Sequence, residues 1–263
     1  PFGVEWKTQE GIVKKEHEEL GFDGRFGPGT PRINDGALLF LLHMMSKMHD
    51  SPENGGDGSK IAIVFNGSPL FTGDAGSGES NIRRYIIEND LLDTVVALPD
   101  QMFYNTGIFT YIWLVSNKKK AERKGKIQLI DATKHFQKMR KSLGNKRNEL
   151  SEDHIKEITR LYAEFKHDTK SRVIIDGESK EKICSKIFGN QEFGFLKITV
   201  ERPLKLNFQV SEERIEKLKL ENAFIKLAES KKRKNEKVID EEIEQGKKLQ
   251  SDILQMLKDF DSA

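Results

Sequence analysis

A glycine-rich loop is the first stretch of this chain that could take part in chemistry. Residues 73–80, GDAGSGES, lie between a predicted strand and a predicted helix, where backbone N–H groups can hold a phosphate. The pattern is weak, because the Lys-Ser/Thr pair that completes a phosphate-binding P-loop is absent. We therefore interpret these residues as a loop at the carboxyl end of a strand, facing a functional site or DNA.

Two basic segments, residues 118–126 and 134–147, are candidates for contacts with nucleic-acid phosphates. Runs of charge are more often simply solvated, and the net charge of +2 is too balanced to indicate a polyanionic partner by itself. A true phosphate contact in either segment would make binding weaken as salt is added.

Histidine and cysteine residues give no sign of a metal or disulfide site. The six histidines show no ligand spacing, and the single cysteine, Cys184, has no partner thiol, so we predict no metal site and no internal disulfide. A lone cysteine fits a reducing compartment. With no long apolar run and no secretory signal in the sequence, we predict a cytoplasmic protein without membrane contact.

Residues 60–117 contain the predicted strands and helix that would position the glycine-rich loop and the basic segments. Apolar runs at residues 61–65, 91–99 and 109–115 indicate buried strands, and a helix with apolar residues at helical spacing joins the first two. Such a unit belongs to a sheet that carries helices on both faces. The link from the second strand to the third is too short for a crossover, so we predict that the third strand is antiparallel.

Further elements are predicted on either side of this unit. A buried helix within residues 36–50 precedes it, and a strand at residues 126–132, placed at the sheet edge, follows it. Residues 133–170 are predicted to be two helices separated by Gly144, the second beginning at Ser151.

The last third of the chain is mostly charged. Short β-prone runs are predicted within residues 171–210, and from Ser211 the chain is predicted to be helical. An amphipathic stripe in this tail must cover another surface, either of this chain or of a partner. It consists of Ile239, Ile243, Leu249, Ile253, Leu254 and Leu257.

Several stretches together resemble the modification subunit of type I restriction-modification systems, a family of S-adenosylmethionine-dependent DNA adenine N6-methyltransferases. The similarity runs through INDGALLFLLHMMSKM, the whole of residues 60–117, GKIQLIDA, KMRKSLGNKR and FGFLKITVERPLKLNFQ, and covers most of residues 1–210.

The resemblance implies an α/β fold for the chain. It would be the second half of a Rossmann-like methyltransferase sheet, mostly parallel with the last strand antiparallel, followed by a mixed, mainly helical C-terminal extension. The implied parts are the C-terminal half of the catalytic domain at residues 1–132, a helical and β extension at 133–210, and an amphipathic helical tail at 211–263.

The resemblance also implies catalytic residues at the start of the chain. Pro1 and Phe2 look like the tail of the family's Asn-Pro-Pro-Phe motif. In that motif the Asn oxygen and the first proline carbonyl accept the adenine amino hydrogens, and the aromatic ring packs on the flipped base. Neither acceptor nor the family's glycine-rich cofactor motif is in this sequence. We therefore expect no S-adenosylmethionine-binding residues in this chain, and no activity from it alone.

A second aromatic position of the family falls on Phe103, in PDQMFYNTGI, with Tyr104 beside it. The resemblance implies that these rings stack on the target base. From the residues alone, the alternative is that Phe103 is a core residue at the base of a hairpin.

The implied partners are DNA, a specificity subunit and, in the full complex, a restriction subunit. The basic segment that carries the resemblance supplies the candidate DNA contacts, which are Lys138, Arg140, Lys141, Lys146 and Arg147. The C-terminal helices would pack on the specificity subunit, or on this chain's own domain. The alternative function is a non-catalytic module on the same scaffold that binds DNA or a partner subunit.

Overall fold

The computed structural model describes residues 3–175, 177–202, 210–230, 232 and 236–261. They belong to two compact units, residues 1–198 and residues 199–263, and each unit is described by itself. No helix among the described residues is long and apolar enough to cross a membrane.

The first unit contains a six-stranded sheet and a separate two-stranded hairpin. In chain order the strands are β1 (Lys60–Phe65), β2 (Leu92–Leu98), β3 (Thr110–Ser116), β4 (Lys126–Asp131), β5 (Gln137–Leu143), β6 (Lys146–Glu149), β7 (Thr169–Ile175) and β8 (Glu178–Gly189). The sheet order is β1-β3-β2-β4-β8-β7, and β5 pairs with β6. Its helices are α1 (Glu10–Leu20), α2 (Ala37–Met45), α3 (Ser68–Phe71), α4 (Gly78–Glu88) and α5 (Glu152–Glu164).

Strand directions confirm the predicted α/β sheet. The third strand, β3, lies between β1 and β2 and is antiparallel to both, as the short link predicted. The pairing of β2 with β4 is parallel, and β8 and β7 extend the sheet with antiparallel pairings. The strands β1, β2, β4 and β7 therefore point in one direction, and β3 and β8 in the other.

Successive residues of the central strands face opposite sides of the sheet, and each side has its own core. Val95 packs with α2 and α4 in one cluster, where Leu41, Ile82 and Ile86 are fully buried. Its neighbour Val96 packs in a second cluster with Leu161 of α5. Helices on both faces, as predicted, leave both sides of the central strands buried.

Three of the predicted elements are wrong. The strand at residues 126–132 is not at an edge, because β8 pairs with its free side. Residues 137–143 form strand β5 and not a helix. Residues 194–202 form no strand, and residues 203–209, also predicted to be β-prone, lie outside the described residues. By contrast, α5 begins after Ser151 as predicted, with the Ser151 hydroxyl accepting a hydrogen bond from His154 N.

Strand β8 was not predicted, because its first half is rich in Lys and Glu. It joins β7 to the same sheet as β1–β4, so both strands lie in one compact unit with residues 1–132. The functional division into residues 1–132, 133–210 and 211–263 stays a prediction.

The second unit is helical, as predicted for the tail. Its helices are α6 (Glu212–Leu220), α7 (Asn222–Ile225) and α8 (Glu236–Asp261). Within the unit, α8 runs against residues 226–228 so closely that a side chain on Gly246 would meet the Leu227 carbonyl oxygen. The stripe residues of α8 are half-buried, apart from Leu249, which is exposed.

A buried ion pair lies in the segment that precedes β4. Arg123, only 6% exposed, donates from Nε to Asp93 Oδ1 at 2.7 Å and from Nη2 to Thr94 Oγ1 and Gln128 Oε1. Its guanidinium lies between the rings of Tyr162 and Phe165, 4.4 and 4.1 Å from their centroids. This one side chain therefore ties β2, β4 and the end of α5 together.

Replacing Arg123 by Met should lower the free energy of unfolding by about 3 kcal/mol, because Asp93 then stays buried without its cation. Urea denaturation measures the change. The double variant Arg123→Met/Asp93→Leu should lose less unfolding free energy than the single variant, since no uncompensated buried charge remains. The exposed Lys120→Ala serves as control, with a change within about 0.5 kcal/mol. A double variant less stable than the single one would contradict this account.

Candidate nucleic-acid interface

The parallel neighbours β2 and β4 deliver two chain segments to the same edge of the sheet. After β2 the chain enters the loop of residues 99–109, and after β4 it enters residues 132–150, which contain the β5–β6 hairpin. Ala132 N donates to the Ala97 carbonyl at 2.9 Å, so the ladder continues to the point where both segments leave the sheet. Ligands of open α/β sheets bind at this carboxyl edge.

The hairpin packs directly on the loop. The backbone N–H groups of Arg147 and Asn148 both donate to the Gln101 carbonyl oxygen, at 3.0 and 3.2 Å. The side chain of Asn148 is fully buried and donates to the Asp100 carbonyl at 2.8 Å. Sequence reasoning missed Asn148, because a single Asn in a charged run has no distinctive pattern.

Phe103 and Tyr104 occupy different environments in the loop. Phe103 is half-buried and packs against the second core cluster. Tyr104 is 59% exposed, and its ring lies over Gly144 in the turn of the hairpin. Of the two predicted rings, that of Tyr104 is therefore the exposed one, and Phe103 supports the loop from the core side.

The five predicted DNA contacts all lie on or beside this hairpin. Arg140, Lys141 and Arg147 are exposed and Lys146 is half-buried, and among the described residues none of these four pairs with a carboxylate. The fifth, Lys138, donates from Nζ to Asn148 Oδ1 at 2.8 Å. A group of unpaired cations next to an exposed aromatic ring is typical of a nucleic-acid surface.

In the other basic segment, residues 118–126, two of the cations are not available for phosphate contacts. The Lys119 side chain is 2% exposed and donates to Asp90 Oδ1, and Arg123 is buried beside Asp93. Both cations are thus used inside the protein, at the amino end of β4, and cannot contact DNA.

Pro1 and Phe2 lie outside the described residues, so their role as the tail of the catalytic motif stays a prediction. The residues that follow them are placed near the carboxyl end of β1. Trp6 N donates to the Ile33 carbonyl, and the neighbouring Arg32 donates to the Ser68 hydroxyl of α3 at 3.2 Å. Since α3 follows β1, this part of the chain lies at the same edge of the sheet as the loop.

Comparison with known proteins assigns the chain to a family. The family model described as N-6 DNA methylase matches residues 1–187, which is more than half of the chain. The chain belongs to the N-6 DNA methylase family.

Relatives of the chain are methylase subunits of type I restriction enzymes. It is 29% identical over 242 residues to the MjaIX methylase subunit of Methanocaldococcus jannaschii, covering 90% of this chain and 38% of that one. It is 40% identical over 116 residues to the HindI methylase subunit of Haemophilus influenzae, covering 44% of this chain and 24% of that one. The chain thus spans well under two thirds of the length of these relatives.

A solved structure shares the fold. The methyltransferase subunit of a type I restriction-modification system from Streptococcus thermophilus superposes with a TM-score of 0.52 and 25% identity. The match covers 73% of this chain and 33% of that chain. The predicted resemblance and the methyltransferase-like α/β fold are both confirmed.

The exposed cations and the Tyr104 ring at this interface are of the types that contact phosphates and a base. A cavity of about 810 Å³ opens at the opposite edge of the sheet, lined by residues that include Asp90, Asn117 and Lys119. Within the described ranges, no group of three or more His, Cys, Asp and Glu side chains could hold a metal ion.

A buried histidine, His135, lies just before strand β5 of the hairpin. His135 Nε2 is 3.0 Å from Ser171 Oγ of β7, and Nδ1 has no hydrogen-bond partner among the described residues. Burial lowers the pKa of His135, and the nearby His154 ring, 6.3 Å away between centroids, lowers it further. Protonating His135 in the fold would place a cation where β5 begins.

We expect the fold to lose stability in mild acid through His135. Because the pKa is lowered in the fold, the contribution of the neutral ring is fully present above the ordinary histidine pKa of about 6.5. It is lost as the pH falls through the lowered value, at no more than about 1.4 kcal/mol per pH unit. Urea denaturation at pH 7.5 and pH 5.5 should show a smaller loss for His135→Gln than for the wild type. The exposed His49→Gln should behave as the wild type; equal pH dependence of all three proteins would contradict the assignment.

Proposed function

We propose that this chain is the C-terminal part of the modification subunit of a type I restriction-modification system. In the complete subunit, assembled with a specificity subunit, it would help to transfer a methyl group from S-adenosylmethionine to N6 of adenine in DNA. The observation that carries the proposal is the exposed Tyr104 ring, which lies beside a group of unpaired cations at the carboxyl edge of an N-6 DNA methylase sheet.

The chemistry of adenine methylation explains why such a surface is needed. The amino nitrogen N6 lies inside the duplex, so the base must be extruded before it can react. When bound, S-adenosylmethionine supplies the methyl group as a sulfonium. This chain would supply the aromatic wall for the extruded base at Tyr104, with Phe103 behind it. Arg140, Lys141 and Arg147 would hold the flanking phosphates and so fix the base in position.

Methyl transfer by the complete subunit with its specificity subunit tests the proposal. Labelled methyl from S-adenosylmethionine should appear in DNA as N6-methyladenine, identified by mass spectrometry of the nucleosides. Tyr104→Ala should lower the rate by about tenfold or more, since base stacking contributes roughly 1–3 kcal/mol. Tyr104→Phe keeps the ring and should stay near the wild-type rate. Methylation of cytosine, or of no base, would contradict the function, and this chain alone should be inactive.

The salt dependence of DNA binding tests the basic hairpin separately. Arg140→Ala and Lys141→Ala should each weaken binding to duplex DNA and reduce the slope of log K against log salt by about 1. Fluorescence anisotropy of a labelled duplex between low and moderate salt measures both effects. Lys120→Ala removes an exposed lysine from the amino end of β4 and should change neither. An unchanged slope in both hairpin variants would exclude them as phosphate contacts.

The tail supplies the proposed contact with the specificity subunit. Helix α8 exposes the apolar side chains of Leu249, Met256 and Phe260, and an exposed apolar stripe on a long helix is suited to packing on helices of a partner. The restriction subunit is a partner of the full complex by the same family argument. With DNA as the proposed substrate, the cytoplasm stays the predicted location.

The alternative is a non-catalytic module that binds DNA or a subunit through the same surfaces. Under this alternative, DNA binding would show the same salt dependence through the hairpin, but Tyr104→Ala would not change a methyl-transfer rate. The match of residues 1–187 to the N-6 DNA methylase model favours the methyltransferase, because an exposed ring beside cations would suit either function.

A further inference from the structure

The loop that carries Phe103 and Tyr104 is held by the hairpin at several points, and these contacts have a role beyond phosphate binding. We propose that Asn148 and Gly144 are positioning residues, which fix the loop so that the Tyr104 ring is presented to the base. This inference rests on the proposed function, and it assigns the hairpin a second task in the same site.

Asn148 is the central contact between the two segments. Its amide donates to both the Asp100 carbonyl and Asp100 Oδ1, at 2.8 and 3.2 Å, and its own N–H donates to Gln101. Its Oδ1 accepts from Lys138 Nζ. A fully buried amide with its donors and acceptor used in this way fixes one geometry, because any shift leaves a polar group unpaired.

The backbone of the loop needs such support. Gln101 and Asn105 have φ values of +53° and +59°, in the left-handed region that residues with a side chain seldom adopt. Phe103 and Thr106 form an isolated bridge that spans Tyr104 and Asn105, so the turn that carries the aromatic pair is tight. Such a conformation persists only where surrounding contacts impose it, and the Gln101 carbonyl receives two of them from the hairpin.

Gly144 provides the place where the Tyr104 ring lies. It has φ +58° at the first position of the two-residue turn between Leu143 and Lys146. A Cβ there would lie 2.8 Å from Tyr104 Cε2, closer than any ordinary contact. The glycine is thus needed both for the turn and for the approach of the ring.

These contacts divide the basic residues of the hairpin into two kinds. Lys138 is bound to Asn148 and belongs to the support of the loop. Arg140 and Lys141 are exposed, and neither contacts the loop through any described hydrogen bond. Substituting Lys141 should therefore alter affinity and leave the presentation of Tyr104 intact, whereas substituting Asn148 should alter the presentation of Tyr104 and, through the lost stacking, affinity as well.

Fluorescence of a bound base reports separately on the affinity for the oligonucleotide and on the stacking of its base on Tyr104. The probe is a single-stranded oligonucleotide in which 2-aminopurine replaces one adenine, titrated into this protein, so that stacking on Tyr104 changes the emission at saturation. Asn148→Ala and Gly144→Ala should each lose more than about half of that change at saturation, with Kd raised about fivefold or more because stacking on the base is lost. Lys141→Ala is the matched control, with Kd raised about threefold or more and the full change at saturation.

Hydrogen exchange supplies the second measurement. Amides of residues 101–106 should exchange about tenfold faster or more in Asn148→Ala and in Gly144→Ala, and at the wild-type rate in Lys141→Ala. Gly144 is an exposed turn residue, so its variant keeps the core intact if Asn148→Ala fails to fold.

The outcomes of these experiments distinguish a failure of this inference from a failure of the proposed function on which it rests. Wild-type emission changes in both variants would overturn the positioning role, even if the loop exchanges faster, and would leave the methyltransferase proposal standing. Unchanged exchange in both variants would also overturn it. If the wild type and Tyr104→Ala give the same emission, Tyr104 does not stack on bases, and the proposed function loses its main support together with this inference.

Discussion

The parallel pairing of β2 with β4 is the constraint on which the site depends. Parallel neighbours end at the same edge of a sheet, so the segments that follow them must start side by side. Here those segments are the aromatic loop and the basic hairpin, separated by about 30 residues of sequence but joined through Gln101 and Asn148. Had β4 been antiparallel, the hairpin would have left the sheet at the opposite edge.

The pairing is itself held by charges at the far end of the same strands. Arg123 bonds to Asp93 and Thr94 at the start of β2 and to Gln128 within β4. Lys119 and Asp90 form a second largely internal pair nearby. Buried ion pairs contribute little net stability, but they tolerate few alternative arrangements, because each donor and acceptor must find its partner. At this edge charge serves the register of the sheet, whereas Arg140, Lys141 and Arg147 of the hairpin are exposed.

Much of the fold could be predicted because it follows from local pattern. Buried apolar runs indicated β1, β2 and β3, and a linker of about ten residues between β2 and β3 excluded a crossover. The hairpin could not be predicted in this way, since Lys, Gln, Met and Arg favour helix and only the pairing of β5 with β6 overrides them. Leu143-Gly144-Asn145-Lys146 did carry a signal, because Gly-Asn between two runs is a hairpin pattern.

The sequence indicated which types of residue form the candidate site, but not how these residues are arranged. Aromatic and basic residues could be named from the resemblance, yet which ring is exposed depends on packing: Phe103 reaches the core cluster and Tyr104 does not. The packing of Phe103 agrees with its interpretation as a core residue, and its contact with the target base stays a prediction. A loop that must present one ring to a base needs its neighbour buried, because an aromatic side chain in the core resists the movement that base contact would otherwise cause. The same reasoning explains why a basic hairpin would carry a buried asparagine: phosphate contacts tolerate small displacements, whereas stacking on a base does not.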